Sequence, residues 1–196
     1  MAGFDELITY LTNNDSKQSK EDIRSLFPLH PYTAFLCSSL SDQIGSANRS
    51  VFNFMYDREF GFLHFLEDEE ACDERKLLTA DYLWDFFTET FKNDPIKYGS
   101  VIETYTSNIA NVTSKGVVFA KVFKGVLLLN AMRGIFNNDL VEKAIPSKSN
   151  ILRLFQGESF NDSLESILDY FDKNQIVRKD PLDNFLIAST SLPTLS

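Results

Sequence analysis

The sequence predicts a mainly α-helical protein, a helical bundle that ends in a short β-hairpin, and three observations carry that prediction. Large apolar side chains are abundant, with 18 Phe among 196 residues, while Gly (8) and Pro (6) are scarce. Few breakers among many bulky residues favour long packed helices over many short strands. Apolar residues recur at helical spacing through most of the chain, and only past residue 175 does that spacing give way to two short apolar runs around a Pro/Asp turn.

Taken in order, residues 4–11 place Phe4, Leu7, Ile8 and Leu11 on one helical face, and the polar stretch after them reads as a loop. Ser19 with Asp22 three residues on has the form of a capping box, so a brief helix runs from there to about Leu26. Residues 27–31, Phe-Pro-Leu-His-Pro, form a stiff extended step, because each proline pushes its predecessor out of the helical region. Pro31 suits the first turn of a new helix, which runs to Ile44 and ends at Gly45. Residues 48–55 form a second short helix, and 57–73 are mixed, turning into an acidic, solvated loop. Helices follow at 77–91, with Thr79 as a candidate cap, at 101–112, and at 117–136, the most apolar of all. That makes about seven or eight helices along the chain. The last fifty residues change rhythm. Pro146-Ser147-Lys148 opens one helix and Gly157 breaks it. Asn161 caps another, in which Leu164, Ile167, Leu168 and Phe171 keep i, i+3, i+4, i+7 spacing. The runs 176–179 and 185–187 read as a hairpin around 180–183. Helix, helix, helix, hairpin is the layout of a winged helix. The expected division is therefore a helical bundle over 1–115 and a winged-helix-like domain over 116–196.

Composition narrows the function classes. The net charge of −9 repels phosphate backbones. Cys37 and Cys72 match no metal or redox spacing and read as reduced cytosolic thiols, Cys37 in a core. Two histidines, His30 and His64, cannot supply a histidine-rich metal site. No basic stretch leads into an apolar run near the N-terminus, so no signal peptide is expected. The apolar segment 116–136 is broken by Lys121, Lys124 and Arg133, which suits a buried core helix better than a membrane span. A cytoplasmic protein is the expectation.

The chain holds no G-x-x-x-x-G-K-[ST], and the nearest string, Thr113-Ser-Lys-Gly116, lacks its glycines. Without that loop there is no backbone cradle and lysine for nucleotide phosphates. G-x-S-x-G, H-E-x-x-H, C-x-x-C and G-x-G-x-x-G are absent too. No catalytic residue and no metal ligand is therefore assigned.

Two strings carry a resemblance: Pro28-Leu-His-Pro31 with its following helix, and Asn48-Arg-Ser-Val-Phe-Asn-Phe54. Together they resemble a segment downstream of the ATP-binding core in large bacterial P-loop ATPases, AAA+/STAND-like proteins of the phage-defence and abortive-infection type. In that family a helical lid and a winged helix follow, and the end of this chain, 167–187, is similar to that winged helix. The phosphate-binding loop and Walker B strand of the family are missing here. The resemblance implies a non-catalytic lid or protein-interaction module, not an ATPase on its own, with no cofactor bound by this chain alone and ATP held on a separate core. The implied partner is that core or another protein subunit.

Four side chains follow as candidates. On the resemblance, Arg49 reaches toward phosphates on the core or a neighbouring subunit, where an arginine offsets charge in phosphoryl transfer; read from the residues alone, it pairs with an acid such as Asp42. His30, between two prolines, either hydrogen-bonds a backbone group inside the fold or contacts phosphate. Arg178 and Lys179, at the start of the hairpin, are candidate contacts for DNA or a partner. A stand-alone winged-helix regulator binding DNA or a protein is the alternative reading. Against DNA, the docking helix 161–174 carries Asp162, Glu165, Asp169 and Asp172 against Lys173, and residues 147–196 hold five basic against seven acidic residues. Protein contact is the expected use of this unit, ahead of nucleic acid, and no membrane partner is expected.

Overall fold

Ser19 shows how local chemistry sets the first boundaries. Its hydroxyl accepts from the Asp22 amide at 3.1 Å while the Asp22 carboxylate accepts from the Ser19 amide at 2.8 Å, the reciprocal capping box read from the sequence. In the computed structural model of the chain, which describes residues 2–13, 19–44, 51–67, 76–134 and 141–188, the result is a mainly helical protein with one two-stranded antiparallel sheet at its C-terminal end. The order is α1 (Asp5–Thr12), α2 (Lys20–Ser25), α3 (Pro31–Ile44), α4 (Val51–Tyr56), α5 (Phe62–Glu67), α6 (Ala80–Lys92), α7 (Pro95–Ser114), α8 (Val117–Arg133), α9 (Val141–Ala144), α10 (Lys148–Leu154), α11 (Leu164–Lys173), β1 (Arg178–Lys179) and β2 (Phe185–Leu186). Eleven α-helices among the described residues exceed the seven or eight expected, because several are single-turn or two-turn pieces.

Some boundaries differ from the sequence reading for identifiable reasons. α7 begins at Pro95, not 101: the Asp94 carboxylate accepts from the Lys97 amide at 3.2 Å and Pro95 takes the first helical position. Thr79 stands before α6 but does not cap it; its hydroxyl donates to Asp81 Oδ1 at 2.5 Å. Asn161 opens a 3₁₀ turn and turns its amide backward, donating to Leu152 O and Phe155 O at the end of α10. α10 opens where the sequence places a helix start, at residues 146–148, and Ser147 caps it, accepting from the Asn150 amide. Residues 57–67 are ordered by Asp57, whose Oδ1 accepts from the amides of Glu59, Phe60 and Gly61, and α5 follows. Gly45, residues 48–50, Cys72 and residues 135–140 lie outside the described residues.

α6, α7 and α8 pack against one another and form the centre of the molecule. α8 is buried nearly all round, through Val122, Phe123, Val126, Leu127, Leu128 and Leu129. The aromatic excess is spent here: Trp84 packs on Phe91 and Tyr105, Tyr105 stacks on Phe123, and Phe123 meets Phe171 of α11. Gly125 is where α8 lets α10 approach; a Cβ there would lie 2.8 Å from the Phe155 ring.

The N-terminal helix is fastened to residues 143–157. Buried Lys143 donates from Nζ to Leu11 O and Asn13 O, closing the C-terminal end of α1. Tyr10 donates to Asn150 Oδ1 at 2.9 Å under the Arg153 guanidinium, 4.2 Å from the ring centre. Phe4 meets His30 edge-on and leaves no room for a Cβ on Gly157, which would sit 2.9 Å from Phe4 at φ +88°. Gly157→Ala is therefore expected to lower stability by about 1–2 kcal/mol, from left-handed backbone strain and the clash together. Denaturant unfolding of the variant checks this; an unchanged midpoint would contradict it.

Candidate functional site

The hairpin is fixed to the helices on both edges. β1 and β2 pair with Arg178 opposite Leu186 and Lys179 opposite Phe185. On the outer edge of β1 the Lys179 amide donates to Asp172 Oδ1 at 2.8 Å. On the outer edge of β2, Phe185 donates to Pro146 O and accepts from Asn130 Nδ2, and Asn130 Oδ1 accepts from the Ile187 amide. The turn is tied by Asp180, whose carboxylate accepts from the Leu182 and Asn184 amides and from Asn184 Nδ2. Those bonds, the Asn184 backbone bond foremost, hold the Asp180 carboxyl below its ordinary range.

Between this hairpin and α7 runs an open groove of about 540 Å³. Its floor is one face of α7: Ser100, Glu103, Thr104, Ser107 and Asn108 recur at helical spacing, while Tyr98, Val101 and Val112 of the same helix are buried. Asp172, Gln175 and Arg178 form the opposite wall. Past Ser100 a second opening, of about 360 Å³, carries on to Asn130, Arg133 and Ile187.

The structure separates the two hairpin cations that the sequence grouped. Lys179 binds Asp183 at 2.9 Å, and that bond raises its pKa above the ordinary lysine value. Arg178 is exposed on the groove wall, and its guanidinium has neither ion pair nor hydrogen bond within the described residues. The outer face of α11 carries exposed Glu165 and Asp169, with Glu165 held by Lys148 at 2.9 Å. That face would repel a phosphate backbone.

His30 lies elsewhere, wholly inside. Its Nε2 faces Gln156 O at 3.0 Å and must donate, since a carbonyl only accepts; Nδ1 accepts from the Tyr32 amide at 3.2 Å. Both ring nitrogens are thus engaged in holding residue 30 against the loop at 156. The stiff extended step expected over 27–31 is instead a turn at 26–28, closed by the Leu29 amide on Leu26 O at 2.9 Å, with α3 starting at Pro31. Arg49 lies outside the described residues. Burial lowers the imidazole pKa to about 4. Cys37 is buried and its thiol is pushed up to about 12, an inert core residue as expected.

A charged layer between α6 and α8 was not visible in the sequence. Asp85 binds Lys124 at 2.7 Å, Asp81 sits one turn before Asp85, and burial raises the carboxyls of Asp85 and Glu158 against the pull of Lys124 and Lys121 respectively. The Asp/Lys spacing signals nothing locally because the partners belong to different helices. Among the described residues no group of three or more His, Cys, Asp or Glu side chains is placed to hold a metal ion, and no helix is long and apolar enough to cross a membrane. Comparison with family models, curated proteins and solved structures finds no match for this chain.

Proposed function

We propose that this chain is the non-catalytic helical and winged-helix portion of an ATPase machine, working as a lid or protein-interaction module that responds to nucleotide held on a separate core. The observation that carries the interaction reading is Arg178, an exposed guanidinium on the wall of an open groove, left unpaired within the described residues of an acidic chain. An arginine so placed suits a carboxylate from a protein partner, which its fork can bind bidentately. Helices α8, α10 and α11 followed by a hairpin support the winged-helix layout. The ATPase association rests on the resemblance of the Pro28–Pro31 and Asn48–Phe54 strings. A protein partner is favoured over DNA by the acidic outer face of α11 and by the capture of Lys179 by Asp183.

The isolated chain is expected to show no saturable ATP binding at micromolar levels and no hydrolysis, and no salt-sensitive binding to duplex DNA. An ATPase rate abolished by a substitution within this chain would reject the lid reading. Duplex binding that weakens on Arg178→Ala would move the groove to the DNA alternative.

A further inference from the structure

We propose that the helical hairpin formed by α4 and α5, residues 51–67, is a docking surface for a basic amphipathic helix of a partner protein. It rests on the reading of the chain as an interaction module, but not on an ATPase core. α4 divides its aromatic residues between two faces. Phe54 is fully buried and meets Phe86 edge-on at 5.3 Å. Phe52 and Tyr56, one turn apart on the opposite face, are 77% and 74% exposed. Phe60, in the turn between the helices, is 40% exposed. Isolated exposed apolar residues are ordinary, but three exposed aromatic rings within one seventeen-residue hairpin are a concentration of the kind that interaction sites carry.

The patch stands on a rigid frame. The Asp57 carboxylate accepts three successive amides, with the Phe60 bond at 2.6 Å, so backbone hydrogen bonds fix Phe60 in place. Phe65 is buried and meets Tyr82 edge-on at 5.6 Å, anchoring α5 to α6. A surface already in its bound conformation loses little freedom on docking.

Charge and geometry choose the occupant. The hairpin carries Asp57, Glu59 and Glu67 against Arg58 alone, and Arg58 lies 3.5 Å from Glu67. The hairpin's own charge is therefore net acidic, on a chain of net charge −9. That favours a partner with lysines or arginines beside its apolar positions and disfavours a second copy of this chain. The surface is helical and offers no open strand edge, so an added strand has nothing to pair with; an apolar helix face at i, i+3, i+4, i+7 suits it.

The test uses the full chain and a fluorescein-labelled designed helix with leucines at that spacing and lysines between them, read by anisotropy. Wild type is expected to bind it, and Phe52→Ser/Tyr56→Ser to bind about tenfold more weakly or less. A version with glutamates for lysines, and one with the leucines scrambled, are expected to fail. Both substituted positions are exposed, so unchanged helical circular dichroism separates lost docking from lost fold. Equal binding by wild type and the double variant overturns the proposal, as does equal binding of the glutamate or scrambled helix. A wild-type dimer in sedimentation that the double variant abolishes gives the face to a second copy and also overturns it. None of these outcomes depends on ATP, so a failure here is distinct from a failure of the lid reading.

Discussion

Phe123→Ala is expected to lower the unfolding free energy by about 3–5 kcal/mol, the range for deleting a large side chain from a packed core. Phe123 is fully buried on α8 and joins two other helices, stacking on Tyr105 of α7 at 6.5 Å and meeting Phe171 of α11 at 5.7 Å. Alanine removes both ring contacts at once and leaves a hole whose walls are themselves rigid rings, which collapse poorly. Phe52→Ala is the natural control, since that ring is 77% exposed, and it should change stability by less than about 0.5 kcal/mol. Denaturant unfolding followed by the emission of the single tryptophan, Trp84, which is fully buried, measures both. Similar losses for the two variants would mean that Phe123 does not hold α7, α8 and α11 together.

That junction also shows what was legible beforehand. The continuous apolar run of α8 announced a core helix, and Ser19 with Asp22 announced the start of α2, because caps act through residues three apart in the chain. The mainly α architecture and the terminal hairpin followed from the same local signals. The first turns of α7 were missed because Gly99 and Ser100 blur the apolar period, although Asp94-Pro95 was there to be read. α5 was missed because Phe60, Phe62, Leu63, Phe65 and Leu66 crowd together without a clear period. Asn161 was read forward, as a cap on the next helix, but the carbonyls needing a donor were behind it, at the end of α10. For the candidate site, Arg178 stood out by its charge. The groove did not, since its floor of Ser100, Thr104 and Ser107 is an ordinary polar helix face until the hairpin is laid beside it. The Asp85–Lys124 pair has the same character: no local spacing encodes a contact between two helices that meet only in three dimensions.

His30 carries the second large effect, a loss of stability in mild acid. Its folded pKa is about 4 and its cause is burial, with the bond to Gln156 O pulling the other way. In the unfolded chain the imidazole returns to about 6.5. Above that value the ring is neutral in both states and the full stability is present. As the pH falls from about 6.5 toward 4 the unfolded chain takes up a proton that the folded protein refuses, and stability drops by about 1.4 kcal/mol per pH unit, to a total of about 3 kcal/mol. The geometry gives the proton nowhere to go: Nε2 already bears one for Gln156 O, and Nδ1 faces the Tyr32 amide, so the imidazolium would set two hydrogens against each other beside the Phe4 ring. The carboxylates act differently. Asp22 and Asp180, held low by hydrogen bonds, lose their contribution only below the ordinary carboxylate range. Asp85 and Glu158, raised by burial, gain stability as the pH falls and partly offset the loss. Unfolding midpoints at a series of pH values for wild type and His30→Gln test the assignment. The variant should start less stable at neutral pH, because a flexible amide replaces a ring held on both sides, and its stability should fall much less steeply between about pH 6.5 and 4. Parallel curves for the two proteins would show that some other group, not this imidazole, takes up the proton on unfolding.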